Sequence, residues 1–158
     1  MTLTCDKDLA TANSSAREGI EQLLDRFAAS WNEGDTDGIA LCFTGDGDLQ
    51  STEGELVRGR EAIAAMLREE WQRFFLGSRA AIAITSVRSV SLGFAFVDAA
   101  MSISSAQVAQ DSQALSMRIV ILAKFFDTSW WFEAVRPYVL YVKTIAKDED
   151  VCNGGSED

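Results

Sequence analysis

The chain has 158 residues, a formal net charge of −10 and an apolar fraction of 47%. A chain of this length can bury the core of one domain, and its composition is that of an ordered globular protein. The negative charge argues against a nucleic-acid partner, because phosphates require a basic surface. The sequence has no run of about 18 apolar residues, which predicts no membrane-spanning helix and no membrane partner.

The absence of histidine restricts the possible chemistry more than any other feature. Imidazole is the usual general base at neutral pH and the commonest metal ligand, so a Ser–His triad and histidine-ligated zinc are excluded. Cys5, Cys42 and Cys152 show no metal-type spacing and are typical of reduced thiols in a cytoplasm. We therefore expect a cytoplasmic protein without a metal or cofactor, in which Cys42 is an inert core thiol.

The longest helical pattern begins at Ser15 and ends at Gly34. Ser15 followed by Glu18 predicts a capping box at the helix start. Glycine at the end adopts the left-handed conformation at low cost, which favours a stop there. Asp35 is then expected to cap a second, shorter helix that extends to Phe43. One apolar stripe follows the first helix: Ile20, Leu23, Leu24, Phe27, Ala28 and Trp31.

A short hairpin and a third helix are predicted next. Residues 48–51 and 56–57 are expected to be short strands joined at Glu53-Gly54. The helix is expected to start near Arg60 and to end at Gly77. Its inner side is predicted to carry six apolar residues: Ile63, Met66, Leu67, Trp71, Phe74 and Phe75.

Four long strands complete the predicted fold, with a tight turn at Asp127-Thr128 before the last of them. They are predicted at residues 80–90, 94–104, 115–126 and 130–142. Residues 1–14 are expected to be a flexible lead-in and 143–158 an acidic tail, which leaves a domain at 15–142. The order predicts an α+β protein, in which a curved antiparallel sheet wraps around the long N-terminal helix and leaves a cone-shaped hollow.

Several local motifs resemble the nuclear transport factor 2-like superfamily, whose members include SnoaL-like polyketide cyclases and ketosteroid isomerases. The matching segments are 27–35 (FAASWNEGD), Phe43, Asp46, Gly54, 59–63 (GREAI) and 133–138 (EAVRPY). The resemblance implies a cystatin-like cone fold, a small-molecule pocket in the cone, and a homodimer formed through the outer face of the sheet. This superfold hosts unrelated activities, so it does not identify one.

Three positions depart from the ketosteroid isomerase pattern. The resemblance aligns the oxyanion-binding tyrosine of those enzymes with Phe27, their catalytic aspartate with Ser51 and their protonated aspartate with Leu122. None of these side chains supplies the group that the isomerase mechanism needs. The SnoaL-like cyclases use an aspartate with a histidine, which this chain lacks, so neither mechanism is expected.

Period-two alternation predicts which strand residues face the cone, with positions 49 and 51 and the even positions from 118 to 122 turned inward. The alternative is that the large side chains simply fill the cone as core. The predicted lining comes from the helices and the strands: Phe27, Trp31, Leu49, Ser51, Leu67, Trp71, Phe75, Arg118, Val120, Leu122 and Val135.

Few side chains in this set offer chemistry. Arg118 interrupts an apolar strand, so it would either bind an anionic ligand in the pocket or lie on the outer, dimer-facing side. Asp46 and Asp48 form a paired-carboxylate motif and are weak candidates for acid–base catalysis; the alternatives are a turn cap and a strand-edge charge. Trp130 and Trp131 are expected to divide between the core and the opposite face.

Two functions remain open at this stage. The first is a SnoaL-like protein that binds a hydrophobic small molecule in the cone, with a cyclase or isomerase of secondary metabolism as its catalytic form. The second is a non-catalytic homodimerisation module with a vestigial pocket. The sequence leaves open whether the chain is an enzyme.

Overall fold

The fold has α+β architecture, as predicted. The computed structural model describes residues 5–104 and 114–139, with side chains from residue 13 onward. The helices are α1 (Cys5–Glu33), α2 (Thr36–Ala40) and α3 (Arg60–Glu70), and α3 continues into a π-helical turn (Trp71–Phe75), here called the π-turn. The strands are β1 (Phe43–Gln50), β2 (Leu56–Arg58), β3 (Arg79–Ser91), β4 (Phe94–Ser104), β5 (Leu115–Phe126) and β6 (Ser129–Tyr138).

The six strands form one sheet in the order β2-β1-β6-β5-β4-β3. Neighbouring strands are antiparallel except β1 and β6, which run parallel with Leu49 opposite Val135. The four long strands are thus antiparallel, as predicted, and the parallel pairing of β1 with β6 makes the whole sheet mixed. The parallel pairing joins distant parts of the chain through all the intervening elements, so no local turn signal announces it.

Helix α1 packs across the concave face of the sheet with its apolar stripe. Ile20 and Leu23 have no exposed surface and belong to one core together with the inward residues of the strands. Asn13 Oδ1 accepts a hydrogen bond from Ser89 N at 2.9 Å. Near the other end of the helix, Asn32 Oδ1 accepts one from Ala80 N at 2.8 Å. Both contacts hold α1 against the long edge strand β3.

Three predicted element boundaries are wrong, one of them the end of the last strand, which is predicted at 142 and lies at Tyr138. Helix α1 begins at Cys5, so Ser15 lies inside the helix and forms no capping box with Glu18. Residues 5–14 contain neither proline nor glycine, and nothing in them stops the helix from extending towards the N-terminus. The third error is that α2 ends at Ala40 and Phe43 already starts β1, because tertiary pairing with β6 extends that strand beyond the predicted 48–51.

The predicted turns are confirmed in their geometry. Gly34 ends α1 with φ +69°, and Asp35 Oδ1 caps α2 by accepting a hydrogen bond from Gly38 N at 2.9 Å. Asp127 and Thr128 have φ angles of +48° and +62° and form a tight hairpin loop between β5 and β6. Two consecutive positive φ angles are typical of a type I′ turn, which suits the right-handed twist of the strands.

No helix in the described part of the chain has the length and apolar character that a membrane span requires.

Replacing Thr128 with glycine is expected to stabilise the protein. The left-handed region costs a β-branched residue about 1–2 kcal/mol, and the greater unfolded-state entropy of glycine offsets about 0.5–1 kcal/mol of the gain. We expect Thr128→Gly to raise the free energy of unfolding by about 0.5–1 kcal/mol in urea titrations. Thr85→Gly in β3, where φ is not positive, is the control and should destabilise. A loss of stability in Thr128→Gly would contradict the assigned strain.

Candidate functional site

A cavity of about 60 Å³ lies between α1, α3 and the concave face of the sheet. Its wall is apolar over most of its area and polar at one place, where Gln50, Thr52 and Glu70 meet. Thr52 is exposed and Gln50 is half-buried, so the cavity reaches the surface on this side. An apolar chamber with a few converging polar groups is the usual form of a small-molecule site.

The structure brings together part of the predicted pocket lining. The predicted residues that line the cavity are Phe27, Trp31, Leu49, Leu67, Phe75 and Val135. Trp71 is buried but packs behind this wall, with its ring 4.9 Å from that of Trp31. Ser51 is also buried, and its hydroxyl accepts a hydrogen bond from Glu55 N at 2.9 Å. Ser51 therefore stabilises the turn before β2 and does not line the cavity.

The prediction that Arg118, Val120 and Leu122 face the cone is wrong. The buried residues of β5 are the odd-numbered ones, including Met117 and Ile119, so the even-numbered residues lie on the outer face. Both faces of this strand carry aliphatic residues, so the sequence pattern does not identify the inner face. A shift of one residue moves every side chain to the other side of a sheet.

Arg118 occupies a shallow groove on the outer face of the sheet. The groove is floored by small residues, among them Ala83, Ala100 and Ser102. Tyr138 lies opposite Arg118 in the register of β5 and β6. Of the two sequence-based interpretations of Arg118, the structure supports the outer position.

The paired carboxylates Asp46 and Asp48 both lie away from the cavity. Asp48 forms a salt bridge with Arg136 and approaches Arg58 at 4.0 Å. Asp46 is exposed in β1 and borders a separate surface depression with Arg60. Asp48 is therefore a strand charge with a partner, as in its non-catalytic interpretation, whereas Asp46 lies within a strand and caps no turn.

Glu70 is the functional candidate that the sequence analysis missed. It is the last residue of α3, it lines the cavity, and only 9% of its surface is exposed. Glutamate at a helix end is usually solvated, so its charge argued against burial. Its spacing from Ile63 and Leu67 nevertheless places it on the same helix face as these two core residues, and that spacing was the available signal.

Burial raises the pKa of Glu70 above its ordinary value, because the apolar surroundings disfavour the carboxylate. Hydrogen bonding from Thr52 opposes this shift, Glu53 adds to it by like-charge repulsion, and Arg73 opposes it. The Thr52 hydroxyl lies 3.5 Å from Glu70 Oε1, which is a long hydrogen bond. Glu70 therefore combines burial with weak compensation of its charge, as is common at functional sites.

The π-turn shapes the aromatic side of the cavity. Its wider winding turns Trp71 and Phe75 inward, and both rings contact Trp31 edge-on, at centroid distances of 4.9 and 5.1 Å. Phe74, predicted on the inner side, is half exposed because the same winding turns it outward. Trp31 Nε1 donates to Ser78 Oγ at 3.0 Å, which fixes the ring. Single π-helical turns inside helices occur frequently at functional sites.

Other groups offer little reactivity. Within residues 13–104 and 114–139, no three histidine, cysteine or acidic side chains approach closely enough to hold a metal ion. Cys42 is buried, and burial raises the pKa of its thiol to about 11, against a smaller opposing effect of Arg26. The thiol therefore stays protonated at neutral pH, in agreement with an inert core cysteine.

Comparison with protein families identifies the class of this domain. A family model for the SnoaL-like domain matches residues 12–150. The chain therefore belongs to the SnoaL-like family, as the sequence motifs indicated. A search of curated proteins finds no matching relative.

Solved structures with the same fold agree with this assignment. A domain of unknown function with a cystatin-like fold from Nostoc punctiforme has a TM-score of 0.69 at 20% identity, over 84% of this chain and 80% of that one. Aln2 from a Streptomyces species has a TM-score of 0.65 at 17% identity, over 78% and 89%. A protein from Catenulispora acidiphila, solved in complex with S-DNPA, has 0.64 at 18% identity, over 78% and 92%. The cystatin-like fold is thus confirmed.

Replacing Glu70 with glutamine should change how stability depends on pH. The pKa of Glu70 is higher in the folded state than in the unfolded state. The protonated side chain therefore contributes to folding stability at low pH, and this stability is lost as the pH rises through the folded-state pKa. The free energy of unfolding of Glu70→Gln relative to the wild type, measured in urea from about pH 4 to about pH 8, should therefore increase with pH.

The matched control for this measurement is Glu69→Gln, which removes the same charge from the preceding, exposed residue. The difference between the two variants isolates the effect of burial from the effect of net charge. Identical pH profiles for Glu70→Gln and Glu69→Gln would contradict the described environment of Glu70.

Proposed function

We propose that this SnoaL-like protein binds a small, largely apolar molecule in the cavity between α1, α3 and the sheet. The observation that carries the proposal is the apolar chamber that ends at Gln50, Thr52 and Glu70. Apolar walls gain free energy by removing hydrocarbon from water, and a few polar groups at one end orient a ligand. The complex of the related Catenulispora acidiphila fold with S-DNPA adds support.

The volume of the cavity limits the buried part of the ligand. Typical small-molecule pockets measure about 300–1,000 Å³, whereas this chamber holds about 60 Å³. We therefore expect a branched or cyclic group of a few heavy atoms inside, with any larger part of the ligand lying near Thr52 at the surface.

Catalysis of the cyclase or isomerase type would require an acid–base group against the ligand. Among the described residues that line the cavity, Glu70 is the one carboxyl. The proposed role of this protein as an enzyme of secondary metabolism therefore depends on Glu70 and not on Asp46 or Asp48. Its proposed location is the cytoplasm, which agrees with the free thiol of Cys42.

The binding proposal is tested by filling the cavity. Val135 is a buried residue of its wall, and Val135→Phe places a ring in the chamber. Native mass spectrometry of the purified wild type should detect a bound small organic molecule, which extraction then identifies. Val135→Phe should lose that mass increment and the thermal stabilisation by added ligand, while it remains folded by circular dichroism.

Val90→Phe is the matched control, because Val90 is exposed in β3 and lies away from the cavity. It should keep the ligand. A wild type that is free of ligand and shows no thermal shift with any small apolar compound would refute the proposal, as would equal ligand retention in Val135→Phe.

A second candidate function is homodimerisation through the outer face of the sheet, and two observations favour it. The cavity is small, and the outer face carries apolar residues that are only partly covered by the chain itself. These include Phe96 on β4 and Val120 and Leu122 on β5. Exposed apolar patches of this kind are typical of protein interfaces. An association module would need the interface and not the cavity.

A charge on the outer face tests this candidate. Leu122→Glu places a carboxylate in the centre of the proposed interface, where burial without a partner costs several kcal/mol. Sedimentation velocity should show a dimer for the wild type and a monomer for Leu122→Glu. Leu92→Glu is the control, since Leu92 is fully exposed between β3 and β4. A monomeric wild type at about 100 μM would contradict dimerisation.

A further inference from the structure

Glu70 is a buried carboxylate for which hydrogen bonding from Thr52 and the charge of Arg73 do not offset the effect of burial. Among the residues whose burial the structure describes, it is the one buried charged side chain. Its described hydrogen bonds both come from Thr52, one from the backbone and one from the hydroxyl, which lies 3.5 Å from Oε1. Buried charges in proteins normally have an ionic partner or several donors, since desolvation is otherwise costly. A positively charged group of a ligand would therefore interact most favourably with this protein in the cavity beside Glu70.

Arg73 on the π-turn acts on Glu70 through its charge, but its ion pairs within 4.0 Å are with two other carboxylates. Arg73 Nη2 lies 3.5 Å from Glu53 Oε1, and its Nη1 lies 4.0 Å from Glu69 Oε1. Its guanidinium thus interacts with two exposed carboxylates. Glu53 also adds negative charge near Glu70. This corner of the site attracts cations, and the net charge of −10 on the whole chain strengthens the attraction.

Aromatic rings form the neighbouring wall of the same cavity. Phe27, Trp31 and Phe75 line it, and the rings of Trp31 and Phe75 are 5.1 Å apart. Ring faces attract an ammonium group and also accept hydrocarbon. In contrast, a carboxylate ligand would meet the like charge of Glu70.

We propose that the site is selective for a small apolar amine, whose ammonium group donates hydrogen bonds to the Glu70 carboxylate while its carbon skeleton fills the chamber. The inference rests on the proposed function, because it names the ligand class of the same cavity. A neutral alcohol of the same shape would gain the apolar contacts and one hydrogen bond to the carboxylate, but not the attraction between opposite charges.

Three probes with the same branched carbon skeleton test the head-group preference: isobutylamine, isobutanol and isobutyrate. Their dissociation constants for the full chain are measured by ligand-observed NMR at neutral pH. We expect isobutylamine to bind about tenfold more tightly than isobutanol, because only the ammonium group adds an ionic attraction to the carboxylate. Isobutyrate should bind most weakly of the three.

Two variants assign the preference to Glu70. Glu70→Gln should weaken isobutylamine binding about tenfold and change isobutanol binding by less than about threefold. Glu69→Gln removes an exposed carboxylate of equal charge and should leave both affinities within about threefold. An equal loss in both variants would show that net charge, and not the buried carboxylate, attracts the amine, and would overturn the inference.

A measurement on the wild type makes the test independent of the folding of the variants. Lowering the pH protonates Glu70, so isobutylamine affinity should fall while isobutanol affinity stays constant. The charged groups described around Glu70 are Glu53, in the turn between β1 and β2, and Arg73 on the π-turn. Arg73 stays cationic throughout the titration. Constant isobutylamine affinity across this titration would overturn the inference.

The outcomes distinguish this inference from the proposed function. Equal affinities for isobutylamine and isobutanol would overturn the amine preference and leave apolar binding intact. Binding of none of the three probes, together with a ligand-free purified protein, would overturn the proposed function and the inference with it.

Discussion

The packing of α1 against the concave face of the sheet is the contact on which the rest of the structure depends. Its stripe removes Ile20 and Leu23 completely from solvent, and large buried side chains of this kind each contribute about 1.5–3 kcal/mol. Polar contacts from Asn13 and Asn32 to β3 hold the helix along the edge of the sheet. A long helix and a curved sheet cannot fill all the space between them, and the remaining space is the cavity.

The small size of that cavity follows from the side chains that surround it. Trp31 packs edge-on against Trp71 and Phe75 where α1 meets the π-turn, and these buried rings occupy space between the helices and the sheet. At the polar end, the described residues offer Glu70 hydrogen bonds from Thr52 and the charge of Arg73, whereas Asp48 on the outer face forms a salt bridge with Arg136. The carboxylate on the outer face thus has an ionic partner, and the carboxylate in the cavity wall is the one on which the proposed ligand binding depends.

Family membership and function are separate conclusions for this chain. The SnoaL-like match and the cystatin-like neighbours define the fold, which hosts many unrelated activities. The side chains at the positions of the isomerase catalytic groups, such as Phe27, supply no acid–base chemistry. The proposed ligand recognition therefore rests on the residues of this chain's own cavity, among which Glu70 is the one carboxyl in the described lining.

The sequence alone determined the features that depend on neighbouring residues: the α1 stripe, the glycine stop at Gly34, the cap at Asp35 and the turn at Asp127-Thr128. These follow from backbone conformation and local periodicity. Only the tertiary structure decided the parallel pairing of β1 with β6, the face on which Arg118 lies and the burial of Glu70. Each of these depends on which distant elements meet, because a strand that is apolar on both sides and a helix-end glutamate are compatible with either environment until the packing selects one.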